Sequence, residues 1–520
     1  MKNILWIISI FLWSTTCFGA ALFDLEIINI KPAGTGSPAI PATNRIFRAY
    51  PGIEYNIRAA VVGGEYPYTY SLSNAPAGMT INSATGEITW TNPQASASNI
   101  QLSVTDQEST TVSATWSITV TSSTSDFIFI QSGYSGTETG NISQPYSSLA
   151  NMLSSETSTT KIVYFKSGTY PMVDHNSSAD YVMDIDSSPK TWIAYPGANV
   201  ILQGGSSTAQ DAHCVYTINH FYFDGLEFRD VVNYGIYTGN GALYKTVRRC
   251  KFDGLVPTDN VNNNYGFIFI SSSVTDGYYD VIQDNEFTDW TGASAIGSIY
   301  DSNKMLIENN RIHSPRAPST YSGIGLPIGI ASKVSNDYLT IRGNAVTMNR
   351  GYLAAGHNAM YYTGVYNEIC FNLFVNTGTS LNLWDWEIGF QKQTKYWRNT
   401  TIAPIAHRSS SNTGPYTYIG NVISNSGAPY SADHTVTELI SHSNTIPLSA
   451  IATVSNNLTN TNAALLVDAA NNYKLVSAHS AYVGSRGWQF ADGSTPMEWS
   501  YTPPVQRGRM QAGAFSGSFR

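Results

Sequence analysis

Asn285-Glu-Phe287, Asn310-Arg-Ile312, Asn344-Ala-Val346 and Asn372-Leu-Phe374 repeat one pattern: asparagine, a variable residue, then an apolar one. Asn399-Thr-Thr401, Asn421-Val-Ile423 and Asn456-Asn-Leu458 continue the series, and Cys250-Lys-Phe252 holds the same place upstream. From Cys250 onward the steps are 35, 25, 34, 28, 27, 22 and 35 residues. Such intervals are too long for a simple hairpin and too even for scattered turn asparagines. They fit a coil that adds one rung of short strands per repeat. Equivalent residues of successive rungs then stack about 4.8 Å apart. A stacked asparagine bonds to the ones above and below and tolerates the left-handed backbone of a tight turn. The apolar residue two places on points into the core.

A second register follows the first. Tyr234-Gly-Ile-Tyr237, Ser294-Ala-Ile-Gly297, Ser322-Gly-Ile-Gly325, Asn358-Ala-Met-Tyr361 and Leu381-Asn-Leu-Trp384 read as its strands. Two aligned strands per rung, joined by loops of variable length, predict a parallel β-helix. No long amphipathic helix alternates with them, which disfavours a doubly wound α/β sheet.

The chain has 520 residues, more than one ordinary domain, and only 12% are charged. Abundant Gly, Ser, Thr, Asn and Tyr suit a β-rich secreted protein with many turns. A net charge of −8 argues against a general nucleic-acid-binding role. Residues 1–20 read as a signal peptide: basic Lys2, an apolar run from Ile4 to Trp13, and small residues around Cys17 to Ala21. The expected location is therefore secreted, periplasmic or cell-surface. No later stretch is long and apolar enough to span a membrane. Cys214, Cys250 and Cys370 follow the leader and are expected in the core, with a single disulfide among them left open.

Residues 22–122 read as a separate antiparallel sandwich. Gln101-Leu-Ser-Val-Thr105 and Thr115-Trp-Ser-Ile-Thr-Val120 alternate apolar and polar residues, and turn clusters divide the strands. Pro67-Tyr-Thr-Tyr-Ser-Leu72, Pro76-Ala-Gly-Met-Thr-Ile81 and Ala84-Thr-Gly-Glu-Ile-Thr-Trp90 resemble the Ig-like, cadherin-like domain of bacterial surface proteins. Its expected role is spacer or cap, with sugar binding as the sharper alternative. Thr121-Ser-Ser-Thr-Ser125 is the linker.

Residues 126–515 are assigned to the coil. Phe127-Ile-Phe-Ile130, a glycine loop, a short helix within 148–154, Ile162-Val-Tyr-Phe165, Ser167-Gly-Thr-Tyr170 and Ala194-Tyr-Pro-Gly197 follow in order. This order resembles the start of right-handed parallel β-helix proteins of the pectate-lyase superfamily. Leu149, Met152 and Leu153 would plug the open end of the coil. The fold class expected is all-β: an Ig-like β-sandwich followed by a right-handed parallel β-helix. A monomer is expected.

Alternation in the second register turns Ile236, Ile296, Ile324, Met360 and Leu383 inward. Tyr237, Gly297, Gly325, Tyr361 and Trp384 then form an outward column, either a glycan groove or a cover for the coil. Leu383-Trp-Asp-Trp-Glu-Ile388 breaks the register, because Asp385 and Glu387 share the parity of Leu383. Between 304 and 350 six cations, Lys304, Arg311, Arg316, Lys333, Arg342 and Arg350, face two acids, Glu308 and Asp337. A local basic surface of this kind selects an anionic polysaccharide, although a ladder of ion pairs through Lys251, Glu286 and Arg311 explains part of it equally well. Asp276, Asp280, Asp284, Glu286 and Asp289 make calcium a candidate cofactor, with solvated turn acids as the alternative.

Three functions compete on this scaffold. A polysaccharide lyase acting on a uronate-containing glycan needs a neutralised carboxylate and a base. Arg311 and Arg350 are candidates for the first role, and His357, Tyr361 and Lys392 for the second. A glycoside hydrolase needs two carboxylates about 5–9.5 Å apart, for which Asp385 and Glu387 are the candidates. A glycan-binding surface protein needs neither. Tyr237, Trp384, Trp386 and His313 are the candidate sugar contacts. The polysaccharide is the one expected partner.

Overall fold

A computed structural model describes residues 21–155 apart from 35–38 and 43, then 161–172, 190–204, 213–217, 220–238, 244–256, 266–270, 277–290, 294–299, 302–313, 328–332, 337–348, 360–361 and 366–376. From there to 475 it describes short strand segments.

The first unit is a sandwich. Thr69–Ser73, Ala97–Thr105, Thr111–Val120 and Arg48–Ala49 form a four-stranded sheet. Tyr55–Arg58, Glu87–Trp90 and Met79–Ile81 form a three-stranded one. Alternate residues of the long strands turn inward, so Ile100, Leu102, Val104, Trp116 and Ile118 are buried together with Tyr55, Ile57, Ile88 and Trp90.

The second unit is a parallel β-helix with three faces. Its first sheet has 13 strands among the described residues, from Phe127–Ile130 to Thr453–Ser455. Its second has 11, from Gly168–Pro171 to Ile440–His442, and its third has 6, from His213–Thr217 to Met360–Tyr361. The central rungs thus carry three strands rather than the two expected. The second register maps onto the third sheet, with one displacement. Ile296 pairs with Ile330 in Ile328–Ser332, whereas the sequence reading places Ile324 in that position. Ile324 and Gly325 lie outside the described residues. Leu383–Asp385 pairs with Ile405–His407 in a two-stranded sheet of its own.

The asparagines sit at the corner between the first and second sheets. Nδ2 of Asn285, Asn310, Asn344 and Asn372 each donates to Oδ1 of the next asparagine at 3.0 Å, ending at Asn399. Each Oδ1 from Asn310 to Asn399 also accepts the backbone N–H of the asparagine one rung earlier, at 2.9–3.0 Å. Cys250 N–H starts the chain, donating to Asn285 Oδ1 at 2.9 Å. The left-handed residue is the one before the ladder position: Arg249 before Cys250, and Asp284, Asn309, Gly343 and Phe371 before four of the asparagines, all with φ between 50° and 67°. The ladder asparagine is therefore chosen for its amide and not for its backbone, which corrects half of the reason given for it above. Asn421 and Asn456 lie outside the described residues.

One place past the corner, the apolar residues stack. Phe228, Phe252 and Phe287 lie face to face at 4.9 and 4.8 Å. Ile312, Val346 and Phe374 continue their column in register. The short helix Leu149–Ser155 buries Leu149, Met152 and Leu153 over this core, as expected. Cys250 and Cys370 are buried free thiols, and burial pushes the Cys250 thiol up to about 12. The side chain of Cys214 lies outside the described residues.

The sandwich packs against the coil. It lies along the outer face of the first sheet, and Tyr244, Tyr279, Val281 and Leu306 of the coil join its apolar core. Polar contacts fill the rest of the seam. Arg58 meets Asp284, and its other nitrogen lies 3.3 Å from Glu308. Arg342 reaches Glu308 at 2.7 Å, the Tyr68 hydroxyl at 3.0 Å and the Val61 carbonyl at 3.0 Å. Arg248 donates to Asn56 at 2.6 Å, and Lys395 pairs with Glu65 at 2.8 Å.

Candidate functional site: a charged face of the second sheet

Four consecutive strands of the second sheet open on a charge, an inward aromatic or aliphatic residue, and a polar residue. They are Glu227-Phe-Arg229, Lys251-Phe-Asp253, Glu286-Phe-Thr288 and Arg311-Ile-His313. The middle residues build the core stack, so the flanking ones turn outward together. Register places Glu227, Lys251, Glu286 and Arg311 in one column of alternating sign. Arg229, Asp253, Thr288 and His313 form the column beside it.

Glu286 is the centre of this face. His313 Nε2 lies 2.8 Å from its Oε1, and Arg311 Nη1 3.4 Å from the same oxygen. With the carboxylate ionised, His313 Nε2 is the donor, and when the imidazole is neutral Nδ1 is the acceptor nitrogen. Side-chain exposures of 13% for Glu286, 16% for His313 and 26% for Arg311 leave the group within reach of a ligand. One rung below, Lys251 Nζ lies 2.6 Å from Asp253 and 3.6 Å from Glu227, while Arg229 Nε donates to Glu227 at 2.9 Å. The stacking of Arg311 over Glu286 over Lys251 is as the asparagine spacing predicts. What the sequence reading left out is the partnership of Glu286 with His313, and the second column. The signal was available, because a charge on each side of one apolar residue recurs at the asparagine interval.

Burial works to raise the Glu286 carboxyl, but the His313 hydrogen bond and the charges of His313, Arg311 and Lys251 outweigh it and hold it below its usual range. A carboxylate lowered in the folded state adds stability above its ordinary pKa, and that stability disappears as pH falls through the lowered value. Glu286→Gln is therefore expected to be less stable than the parent near neutrality and to show a flatter acid limb. Denaturant midpoints followed from about pH 7 to about pH 3 measure this. Parallel curves for the two proteins would contradict it.

The remaining expected site residues fall elsewhere. Tyr237 is half-buried on the third sheet, stacked on Phe269 at 4.9 Å and edge-on to Tyr234 at 5.1 Å. Phe269 is 4% exposed, whereas Tyr237 keeps part of its surface open. Tyr361 lies opposite Ala331, Trp384 opposite Ala406 and Asp385 opposite His407 by backbone register, and their side chains are outside the described residues. Arg350, His357, Trp386, Glu387 and Lys392 lie outside the described residues altogether.

The basic surface expected between 304 and 350 is neutralised where it is described. Arg342 is 1% exposed against Glu308, Lys304 lies 2.5 Å from Glu26 of the sandwich, and Arg311 shares Glu286. Arg316, Lys333 and Arg350 are outside the described residues. Only the partner of Lys304 lies far away in sequence; Glu308 and Glu286 sit one rung from the cations they pair with. The acids proposed for calcium are likewise paired: Asp280 with Lys245 at 3.2 Å, Asp284 with Arg58, and Glu286 with His313. Asp276 is outside the described residues. Among the described residues, no three His, Cys, Asp or Glu converge to hold a metal ion.

Fold and site together define an all-β protein in which an Ig-like sandwich is docked along a parallel β-helix. Residues 38–121 match the family described as "Putative Ig domain". Among solved structures, the chain is similar to the pectate lyase Pel9A, at 13% identity and a TM-score of 0.40, covering 72% of this chain and 88% of that one. It is also similar to the Dettilon tailspike protein, at 12% identity and a TM-score of 0.23, covering 59% and 63%. The catalytic domain of a GH87 alpha-1,3-glucanase in complex with nigerose matches at 9% identity and a TM-score of 0.25, covering 78% and 82%. No curated protein matches the chain. No helix among the described residues is long and apolar enough to cross a membrane.

Proposed function

We propose that the protein is a secreted enzyme that cleaves an acidic, uronate-containing polysaccharide by β-elimination on the charged face of the second sheet. The observation that carries this reading is the convergence of Arg311 and His313, from one strand, on the single carboxylate of Glu286. Arg311 offers a fork of donors to the uronate carboxylate and stabilises the charge that develops when the adjacent carbon loses its proton. His313, oriented by Glu286, accepts that proton through Nδ1. The carbon–oxygen bond β to the carboxylate then breaks, its electron pair leaves with the glycosidic oxygen, which takes up a proton, and a double bond forms in the ring. Secretion rests on the leader-like residues 1–20.

The test is incubation with polygalacturonate, alginate and hyaluronan, following ultraviolet absorbance of the unsaturated product. His313→Ala is expected to lower kcat by about 10²-fold or more, and Arg311→Ala to raise KM more than it lowers kcat. Reducing ends released without absorbance would make the protein a glycoside hydrolase instead. Binding without turnover would make it a glycan-binding protein.

A further inference from the structure

The outer face of the four-stranded sheet in the Ig-like unit is a regular array of hydroxyls. Register aligns Thr69, Thr105 and Thr111 across three strands, and Ser71, Ser103 and Ser113 in the rank beside them. The hydroxyls of Ser103 and Ser113 bond at 2.8 Å, as do those of Thr105 and Thr111. The next rank is Ser73, Gln101 and Thr115, with Ser73 Oγ 3.0 Å from Gln101 Oε1. No charged side chain interrupts these ranks.

The array runs into a cleft of about 460 Å³. Thr115, Ser117 and Thr119 carry the hydroxyl face along one side of it, and Pro32, Ala33 and Ala42 line it as well. The strand bulges at this edge: the register shifts between Ala97 and Ile100, and Asn99 stands there at φ 55°, its N–H 3.3 Å from Ser117 Oγ. Arg48, the one cation lining the cleft, is paired with Asp126 at 3.1 Å. The volume suits a small ligand or the end of a chain.

A protein partner anchors on exposed aromatic and arginine side chains, and nucleic acid needs unpaired cations. The ranks offer neither. What they offer is a dense set of uncharged donors and acceptors with an apolar-walled cleft at one end. We propose that this face is a binding site for a neutral, polyhydroxylated polysaccharide, laid along the hydroxyl ranks with its end or a branch in the cleft. This site is separate from the charged face of the coil and does not depend on the reaction assigned there.

Affinity electrophoresis of the full chain through gels containing dextran, glucomannan or polygalacturonate tests it. The parent protein is expected to be retarded by at least one of the two neutral glycans. Ser113→Arg with Thr115→Arg places two cations on exposed positions and is expected to weaken that retardation about tenfold or more. Ser71→Lys, on the edge strand, gives a second variant in case the first folds poorly. Both should leave product release from any acidic substrate at parental rates. No retardation in either neutral gel, equal retardation of the variants, or retardation by polygalacturonate alone would overturn the proposal.

Discussion

Asn344→Ala is expected to lower the stability of the coil by about 3–5 kcal/mol, the loss of two or more buried hydrogen-bond partners at about 1–3 kcal/mol each. Asn344 is fully buried and stands in the middle of the ladder. Its Nδ2 donates to the Ile307 and Arg342 carbonyls at 2.9 and 3.1 Å and to Asn372 Oδ1 at 3.0 Å. Its Oδ1 accepts from the backbone and the side chain of Asn310. Truncation removes five contacts and places no water in reach of the groups left behind. Asn344→Asp keeps the shape but sets carboxylate oxygens against three acceptors, so it should be at least as harmful. Asn399→Ala, at the end of the described ladder, should cost less. Urea unfolding of the three variants measures the order. A loss under about 1 kcal/mol for Asn344→Ala would show that the ladder is decoration on a coil held by its apolar stack.

Arg342→Met is expected to cost about 3–5 kcal/mol and to loosen the sandwich from the coil, because it leaves Glu308 buried with less of its compensation. Glu308 is 4% exposed, and the Arg342 guanidinium also satisfies Tyr68 and Val61 of the sandwich. Burial works to raise the Glu308 carboxyl, but Arg342, Arg58 and Gln283 hold it below its usual range. Glu308→Gln together with Arg342→Met removes both charges and should recover part of the loss, while Arg58 keeps its contact with Asp284. The readout is calorimetry with limited proteolysis at Thr121–Ser125. Two transitions and faster cleavage there are expected for the single variant. One unshifted transition would mean that the shared apolar seam alone joins the units.

The coil was legible in the sequence because its marker is chemical and periodic. An amide that must bond in both directions along the axis admits little but asparagine, so the spacing of Asn285, Asn310, Asn344 and Asn372 reports the rungs directly. The third face carries no such marker. Its strands are short apolar runs, and the reading takes Ser322–Gly325 where the described strand is Ile328–Ser332. At the candidate site, stacking of Lys251, Glu286 and Arg311 followed from the spacing, whereas the His313 contact depends on side-chain direction within one strand. The pairing of Arg342 with Glu308 follows the same spacing, since each stands two places before a ladder asparagine and the two are in register. The contacts of Arg342 with Tyr68 and of Lys304 with Glu26 were not legible, because they form only where the two units dock and no local charge count contains that information.

The seam between the units has a bearing on how the protein is made. A ribosome releases the chain from its N-terminus, so Arg58 emerges 226 residues ahead of Asp284, and Glu65 emerges 330 ahead of Lys395. The sandwich is synthesised first, yet its buried charges gain their counterions only after most of the coil has been translated and wound. Contacts between residues so distant in the chain form late. The sandwich is thus translated before the coil, yet its buried charges are satisfied only after the coil is in place.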